Sequence, residues 1–180
     1  MQRKFHLIAW SVLAWAGIAT AATIEVGDEL EFQDALTAAS TNGQDDVINV
    51  VSGTYWPEST LTYNAATGEN KSVTIQCVGG GAVIDAGGIY FGDSRGLWLT
   101  STGNVAHTII LDGLTVRNFH TFSTDKQSGR GAGAFIYTRW GQVMLRNCTI
   151  ANNQGKEMLA PAIDGAGVWL SVNSSPGTVT

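Results

Sequence analysis

The residues of this chain with the most chemical potential are carboxylates and arginines at the ends of short apolar runs. Glycoside hydrolysis requires a pair of carboxylates across a groove, and calcium requires several oxygen ligands that converge on one point. Asp85 and Asp112 each lie close to a glycine at a strand end, where aspartate forms turns, and no carboxylate pairs with Asp125 or Asp164. We therefore predict no catalytic, cofactor-binding or metal-ligating residues. Lyase chemistry needs a base, for which the sequence offers Arg117, Arg130, Arg139 and Arg146.

Several polar residues have a spacing that predicts structural roles. Asp112 and Arg146 are 34 residues apart, the period of a repeat described below, and we expect them to face each other as an exposed ion pair worth ~0–1 kcal/mol. Asn118 and Asn152 share this spacing, which predicts that their stacked side-chain amides satisfy each other. The pair Asp45–Asp46 precedes a strand, where such residues cap backbone groups.

Two histidines are candidates for catalysis, and two aromatic residues are candidates for contact with a ligand. His107 and His120 have no partner pattern, so we expect them in loops or at strand edges. Tyr137 and Trp140 are suited either to stacking on sugar rings or to filling the interior of the fold, and the sequence leaves these two alternatives open.

The first 22 residues have the features of a cleavable secretory signal. Arg3 and Lys4 form a basic start, an uncharged apolar run extends from Leu7 to Ala19, and small residues follow at Ala19 and Ala21. The apolar run is shorter than the roughly 20 residues that a spanning helix needs. We expect export to the outside of a cell and no membrane insertion by the remaining chain.

The charge balance narrows the class of binding partner. Without Arg3 and Lys4 the chain holds eight basic residues (ten less two) and fifteen acidic ones, which argues against nucleic acid and anionic membranes as partners.

The two cysteines are too far apart in the predicted repeat to form a disulfide. Cys77 and Cys148 are 71 residues apart, about two repeats, so stacked strands ~4.8 Å apart would separate them by ~9–10 Å. This distance is too long for a disulfide, and we expect two buried thiols.

Two segments of the chain are repeated at one offset. Residues 108–118 correspond to residues 142–152, and residues 131–136 correspond to residues 165–170, in both cases 34 residues apart. A common offset for separate blocks indicates a structural repeat. Earlier matches place Val73 opposite Ile109, an offset of 36, and Leu97 opposite Phe135, an offset of 38. The variation in length falls in two polar segments, His120–Ser128 and Gln154–Ala162.

One helix and many short strands are predicted. Asp28 is a helix N-cap with Glu31 as its reciprocal capping-box partner, and the apolar residues Phe32, Ala35, Leu36 and Ala39 recur with helical spacing. A short alternating strand, Thr23–Val26, precedes the helix. The strands after the helix are bounded by turn-forming residues; those predicted are Val47–Val51, Ser72–Val78, Ala82–Asp85, Leu97–Thr100, Thr108–Leu111 and Leu114–Val116.

The repeat and these elements predict an all-β solenoid, a right-handed parallel β-helix with one N-terminal capping helix. Its domain covers residues 23–180, with the cap at 23–46 and the coils at 47–180. Residues 177–180 match the start of another coil, so we expect a chain truncated at its C-terminus and capable of self-association through that open coil. An antiparallel sandwich, which also contains many short strands, gives no reason for a 34-residue repeat.

The repeated motifs resemble a known group of proteins. Gly131-Ala132-Gly133-Ala134 and Gly165-Ala166-Gly167-Val168 are similar to a Gly-Gly-Ala-aliphatic motif, and Ile150-Ala151-Asn152-Asn153 is similar to a Phe-x-x-Asn motif. Both motifs belong to polymorphic outer-membrane-protein-type surface proteins within the pectin-lyase-like superfamily. The resemblance implies an exported bacterial protein with a right-handed parallel β-helix.

Two functions follow as expectations. The first is a secreted or surface-exposed, non-catalytic scaffold that is adhesion-like or faces carbohydrate, with a polysaccharide or another cell-surface ligand as its partner. The second is the N-terminal part of a polysaccharide lyase or glycoside hydrolase with its active groove in later coils. A purely structural stalk is a third alternative. The sequence predicts no cofactor for any of them.

Overall fold

The computed structural model describes residues 21–87, 95–123, 130–157, 167–173 and 178–179. Residues 1–20 of the predicted secretory signal and the loop carboxylates Asp125 and Asp164 therefore lie outside the described residues. Within the described ranges, no helix is long and apolar enough to span a membrane.

The described residues are mostly β-strand, with one helix near the start of the described chain. The elements in order are β1 (Ala22–Val26), α1 (Glu29–Ala39), β2 (Asp46–Tyr55), β3 (Leu61–Ala65), β4 (Val73–Asp85), β5 (Leu97–Ser101), β6 (His107–Asp112), β7 (Leu114–Arg117), β8 (His120–Ser123), β9 (Ala134–Thr138), β10 (Gly141–Arg146), β11 (Thr149–Ala151), β12 (Gln154–Glu157), β13 (Val168–Val172) and β14 (Thr178–Val179).

The strands form three sheets in which the described pairs are all parallel. The first sheet has the order β1-β2-β4-β6-β10-β14, and β7 and β11 extend it beside the second half of β4. The second sheet has the order β3-β5-β9-β13, and the third is the pair β8-β12. From β2 to β6 the chain alternates between the first two sheets. From β7 it passes through the third, the second and the first sheet in turn, and then repeats this passage.

The register confirms the 34-residue repeat. His107 pairs with Gly141 in the first sheet, and Ala134 pairs with Val168 in the second, both at an offset of 34. The predicted offset of 36 between Val73 and Ile109 is also confirmed. Of the later glycine block, Gly167 accepts a backbone hydrogen bond from Ala134 at 3.0 Å, whereas Gly165 and Ala166 lie outside the described residues.

The predicted offset of 38 between Leu97 and Phe135 is wrong by one residue. Leu97 pairs with Ala134 and Trp98 with Phe135, an offset of 37. Because side chains alternate between the faces of a strand, a one-residue shift exchanges core for surface. Leu97 and Ala134 are buried, while Trp98 and Phe135 lie together on the outer face.

The core lies between the sheets and is filled by every second residue of the strands. In β6 and β7 the buried and half-buried positions alternate strictly. The same aliphatic columns continue from strand to strand, so that each inward side chain packs on its partner in the next strand; the core includes Ile48, Val50, Ile75, Ile84, Leu97, Leu99, Ile109, Leu111, Val116, Ile136 and Val143.

The helix α1 covers one end of this core, as predicted. Phe32, Ala35, Leu36 and Ala39 are buried, and Asp28 caps the helix by accepting a 2.8 Å hydrogen bond from the Glu31 backbone N–H. The second half of the predicted capping box is wrong in one detail. Glu31 accepts from the backbone N–H of Gly27 at 2.8 Å, one residue before the N-cap.

Three strand predictions need correction. β3 was not predicted, because Leu61–Ala65 is short and includes an asparagine. Ser72–Val78 and Ala82–Asp85 form the single strand β4, whose continuity depends on the positive φ angles of Gly79, Gly80 and Gly81. The polar segments predicted as loops contain β8 and β12, which pair with each other.

Both cysteines are free thiols, as expected. Cys77 lies in β4 and Cys148 follows β10, and β6 separates these two strands in the sheet. Burial raises the pKa of the Cys148 thiol, so this thiol is less reactive than an exposed one. The two side chains are half-buried rather than fully buried.

Candidate functional site

Asp85, at the end of β4, is held by three donors. Its Oδ2 atom lies 2.6 Å from Arg117 Nε, and its Oδ1 atom accepts from Asn118 Nδ2 at 2.7 Å and from the Gly87 backbone N–H at 2.9 Å. Burial would raise the pKa of Asp85, but the hydrogen bonds from Asn118 and Gly87 and the charge of Arg117 outweigh it and lower the pKa.

A similar arrangement surrounds Asp112 at the end of β6, in the row of the sheet that contains Gln76 and Arg146 and not in the row of Asp85 and Arg117. Arg146 Nε lies 3.6 Å from Asp112 Oδ2, and Asn147 Nδ2 donates to Asp112 Oδ1 at 2.9 Å. The predicted ion pair between Asp112 and Arg146 is therefore present, and its arginine is half exposed. The equivalent Asp85–Arg117 pair was missed. The dipeptide Arg-Asn occurs at both 117–118 and 146–147, a signal that could have revealed it.

The asparagines at these strand ends shape the backbone. Asn118, Asn147 and Asn152 have φ angles of 65°, 52° and 54°, the left-handed region that asparagine tolerates better than most residues. The predicted hydrogen bond between the side-chain amides of Asn118 and Asn152 does not form. The Asn118 side chain instead donates from Nδ2 to Asp85 Oδ1.

His107 has a partner that its sequence context did not predict. Its Nδ1 atom lies 2.9 Å from the Val105 carbonyl oxygen and must donate to it, which leaves Nε2, 2.8 Å from Thr138 Oγ1, to accept the hydroxyl proton in the neutral ring. A hydroxyl bonded to an imidazole resembles an activated nucleophile. Both side chains are buried, however, so this pair links β6 to β9 and is closed to a substrate.

An aromatic stack lies along the outer face of the second sheet. Phe135 is sandwiched between Trp98 and Trp169, with ring centroids 4.3 and 4.4 Å apart and planes inclined by 14° and 15°. The guanidinium carbon of Arg95 lies 4.7 Å from the centroid of the Trp98 ring. The guanidinium carbon of Arg130 lies 5.7 Å from the centroid of the Trp169 ring. Because the faces of Phe135 are covered by its neighbours, a sugar ring has no access to them.

Neither Tyr137 nor Trp140 fills the interior of the fold, and the two residues differ in exposure. Trp140 is 38% exposed, in the turn between β9 and β10. Val105, 51% exposed, lies in the corresponding turn before β6. Tyr137 is half-buried, and its hydroxyl accepts a 3.4 Å hydrogen bond from Asn173 Nδ2. Trp140 is thus the better placed of the two for contact with a ligand.

The remaining predicted residues are distributed over the surface. Asp45 caps a backbone group as predicted, since it accepts from the Ser72 N–H at 2.8 Å. His120 is half-buried in β8, and Arg139 is exposed beside Trp140. In the part of the chain that the structure describes, no three residues among histidine, cysteine, aspartate and glutamate form a metal-binding cluster.

Comparison of this chain with protein-family models, with curated proteins and with solved structures finds no match.

Proposed function

We propose that this protein is a secreted or cell-surface scaffold, built as a right-handed parallel β-helix, that faces a polysaccharide or another surface ligand and does not catalyse a reaction. The passage of the chain between parallel sheets, with in-register pairing at a repeated offset, supports the β-helix. The glycine-rich motifs support placement in the pectin-lyase-like superfamily, near the polymorphic outer-membrane-protein-type surface proteins.

The observation that carries the functional proposal is the repetition of the Asp–Arg–Asn cluster. Asp85 and Asp112 each bind an arginine and an asparagine from the next strand of the sheet. A catalytic centre needs one specialised arrangement, whereas a scaffold needs the same cross-strand fastening at successive levels. The two clusters therefore support a structural role for the carboxylates and arginines that were the strongest candidates for catalysis.

The surface around Trp140 is the proposed ligand contact. Exposed tryptophan combines a large apolar area with one N–H donor, and it is enriched among residues that dominate binding energy. Trp140 and Val105 lie in neighbouring turns of the same edge, with the exposed Arg139 beside them. Aromatic, apolar and cationic groups at one edge suit the mixed polar and apolar surface of a glycan.

Affinity electrophoresis of the purified protein through gels that contain pectate, alginate or neutral glucans tests this proposal. We expect retardation in at least one of these gels and a roughly tenfold weaker affinity for Trp140→Ala. Trp56→Ala is the matched control, since Trp56 is 59% exposed but lies beside α1, where its backbone N–H donates to Glu29 Oε1 at 2.6 Å. Equal losses in the two variants, or no retardation in any gel, would contradict the proposed contact.

The same polysaccharides distinguish the scaffold from the alternative, a lyase or hydrolase. Incubation with and without calcium should release neither reducing ends nor unsaturated products. Turnover that disappears in Asp112→Asn or in Arg146→Met would show that the fastening cluster is an active site.

A further inference from the structure

Two carboxylates converge on the turn that follows α1. Asp46 begins β2, points into the core and is 2% exposed, while Glu69 lies in the turn after β3. Asn42 Nδ2 donates to Asp46 Oδ1 at 3.1 Å, and the Gly43 backbone N–H donates to Glu69 Oε2 at 3.0 Å. Because Asn42 and Gly43 are consecutive, both carboxylates are bonded to the same turn.

Each of these carboxylates has one oxygen without a partner. Asp46 Oδ2 and Glu69 Oε1 are buried, and neither takes part in a hydrogen bond. A buried carboxylate oxygen without a donor is strongly unfavourable and calls for an explanation. The buried Tyr63 lies in β3, the strand that precedes Glu69. Burial, with the charges of Glu69 and Asp46 as smaller causes, raises the pKa of its hydroxyl.

The surroundings add negative charge to this place. The C-terminal end of a helix carries a partial negative charge and several carbonyl groups without helical partners, and Asp45 lies next to Asp46 in the chain. Burial, with Asp45 as a smaller contribution, raises the pKa of Asp46 despite the opposing influence of the Asn42 hydrogen bond and of the nearby Ala22 backbone N–H. Within the described ranges, neither Asp46 nor Glu69 forms an ion pair with a basic side chain, including Lys71.

We propose that Asp46 and Glu69 bind a divalent cation, with calcium as the best fit, beneath the C-terminal end of α1. Calcium prefers oxygen ligands and accepts carboxylates together with backbone carbonyls, amide oxygens and water. Two carboxylates neutralise its charge, and the other ligands come from neutral oxygens, so no third acidic residue is needed. The bound ion fastens the capping helix to β2 and to the turn after β3.

Thermal unfolding of the chelator-treated protein at neutral pH, with calcium added stepwise, tests this site. We expect a saturable rise of roughly 5 °C or more in the midpoint at about 10 mM calcium. Asp46→Asn and Glu69→Gln should remove this rise. Asp34→Asn, an exposed carboxylate on the outer side of α1, is the matched control and should retain it.

Two results would overturn the site. A calcium response of equal size in Glu69→Gln, whose side chain is not part of the core, would place the ion elsewhere. A wild-type protein that ignores calcium but gains stability between pH 7 and pH 5 would show that the carboxylates share a proton. Terbium luminescence provides a readout independent of stability, because we expect emission excited through Tyr63 in the wild type and much weaker emission in Tyr63→Phe.

Discussion

The two Asp–Arg–Asn clusters contain the same groups but differ in burial. The Asp85 side chain is almost inaccessible and the Asp112 side chain is partly exposed, and the ion-pair distances are 2.6 and 3.6 Å. Hydrogen bonds to a buried charge contribute more than those to an exposed one, because water competes for the exposed group. The first cluster should therefore stabilise the protein more than the second.

Alanine replacement of each aspartate tests this difference. We expect Asp85→Ala to lower the free energy of unfolding by about 1–3 kcal/mol, since it leaves Arg117 and Asn118 without their acceptor. Asp112→Ala should lower it by only ~0–1 kcal/mol. Urea unfolding at pH 7 gives both values, and equal losses would mean that burial does not separate the two clusters.

The acid dependence of stability provides a second test of Asp85. Its pKa is lower in the folded protein than its ordinary value of 3.8, so its contribution is present above pH 3.8 and is lost as the pH falls through the folded pKa. The difference in stability between wild type and Asp85→Ala should therefore be constant from pH 7 to about pH 5 and should shrink below about pH 4. A difference that grows on acidification would contradict the direction of this shift.

At the scale of elements, the helix was predictable because its signals are local. The N-cap Asp28 and the apolar spacing of Phe32, Leu36 and Ala39 lie within twelve residues, and each has the predicted role. The predicted register between β5 and β9 is wrong by one residue. Matching apolar residues in two sequence segments does not show which face of the strand each residue occupies. The Asp46–Glu69 pair depends on contacts across 23 residues that no local pattern encodes.

Two leucines of α1 form a matched pair that tests the role of the helix as a cap. Leu36 is fully buried against the core, and Leu30 is 71% exposed. Leu36→Asp adds an unpaired buried charge to the lost apolar burial and should destabilise the protein by roughly 3–5 kcal/mol. Leu30→Asp should stay within about 0.5 kcal/mol. A thermal melt that is the same for both variants would show that the helix does not seal the core.

The glycine motif before β9 has a packing reason. A Cβ atom on Gly133 would lie about 2.5 Å from Asn153 Nδ2 and 2.5 Å from the Gly167 carbonyl oxygen, too close for any side chain. Gly96, at the equivalent point before β5, is similarly crowded by the Gly133 carbonyl oxygen. β5 and β9 therefore begin where only glycine permits their close approach to the neighbouring turn.

Alanine replacements at two glycines test this close approach. Gly133→Ala must push apart two backbone segments and should cost about 1–3 kcal/mol. Gly53→Ala, which meets no atom closer than 4.0 Å, should change stability by less than about 0.5 kcal/mol. Chemical denaturation of the two variants gives the comparison, and a neutral Gly133→Ala would mean that the strands can separate at little cost.

At the scale of the whole molecule, the strands form successive levels, each made of consecutive strands that belong to different sheets, such as β7, β8 and β9. Each level contacts mainly the levels before and after it. In such an array stability is close to a sum of level and interface terms, so levels are exchangeable in a way that the parts of a globular core are not. The offset of 34 in both main sheets means that β11 can take the place of β7, and β13 that of β9, without changing the face of any side chain.

Deletion of one full level tests the proposed stacked architecture most directly. Removal of residues 115–148, which is 34 residues, joins Leu114 to Thr149, the residue that pairs with Thr115. The proposed β-helix predicts a soluble protein with a β-type circular dichroism spectrum and a single cooperative melt. Removal of residues 115–147, one residue fewer, reverses every inward and outward side chain beyond the junction and should abolish folding. If both deletions fail equally, or both fold equally well, the molecule is not a stack of interchangeable levels.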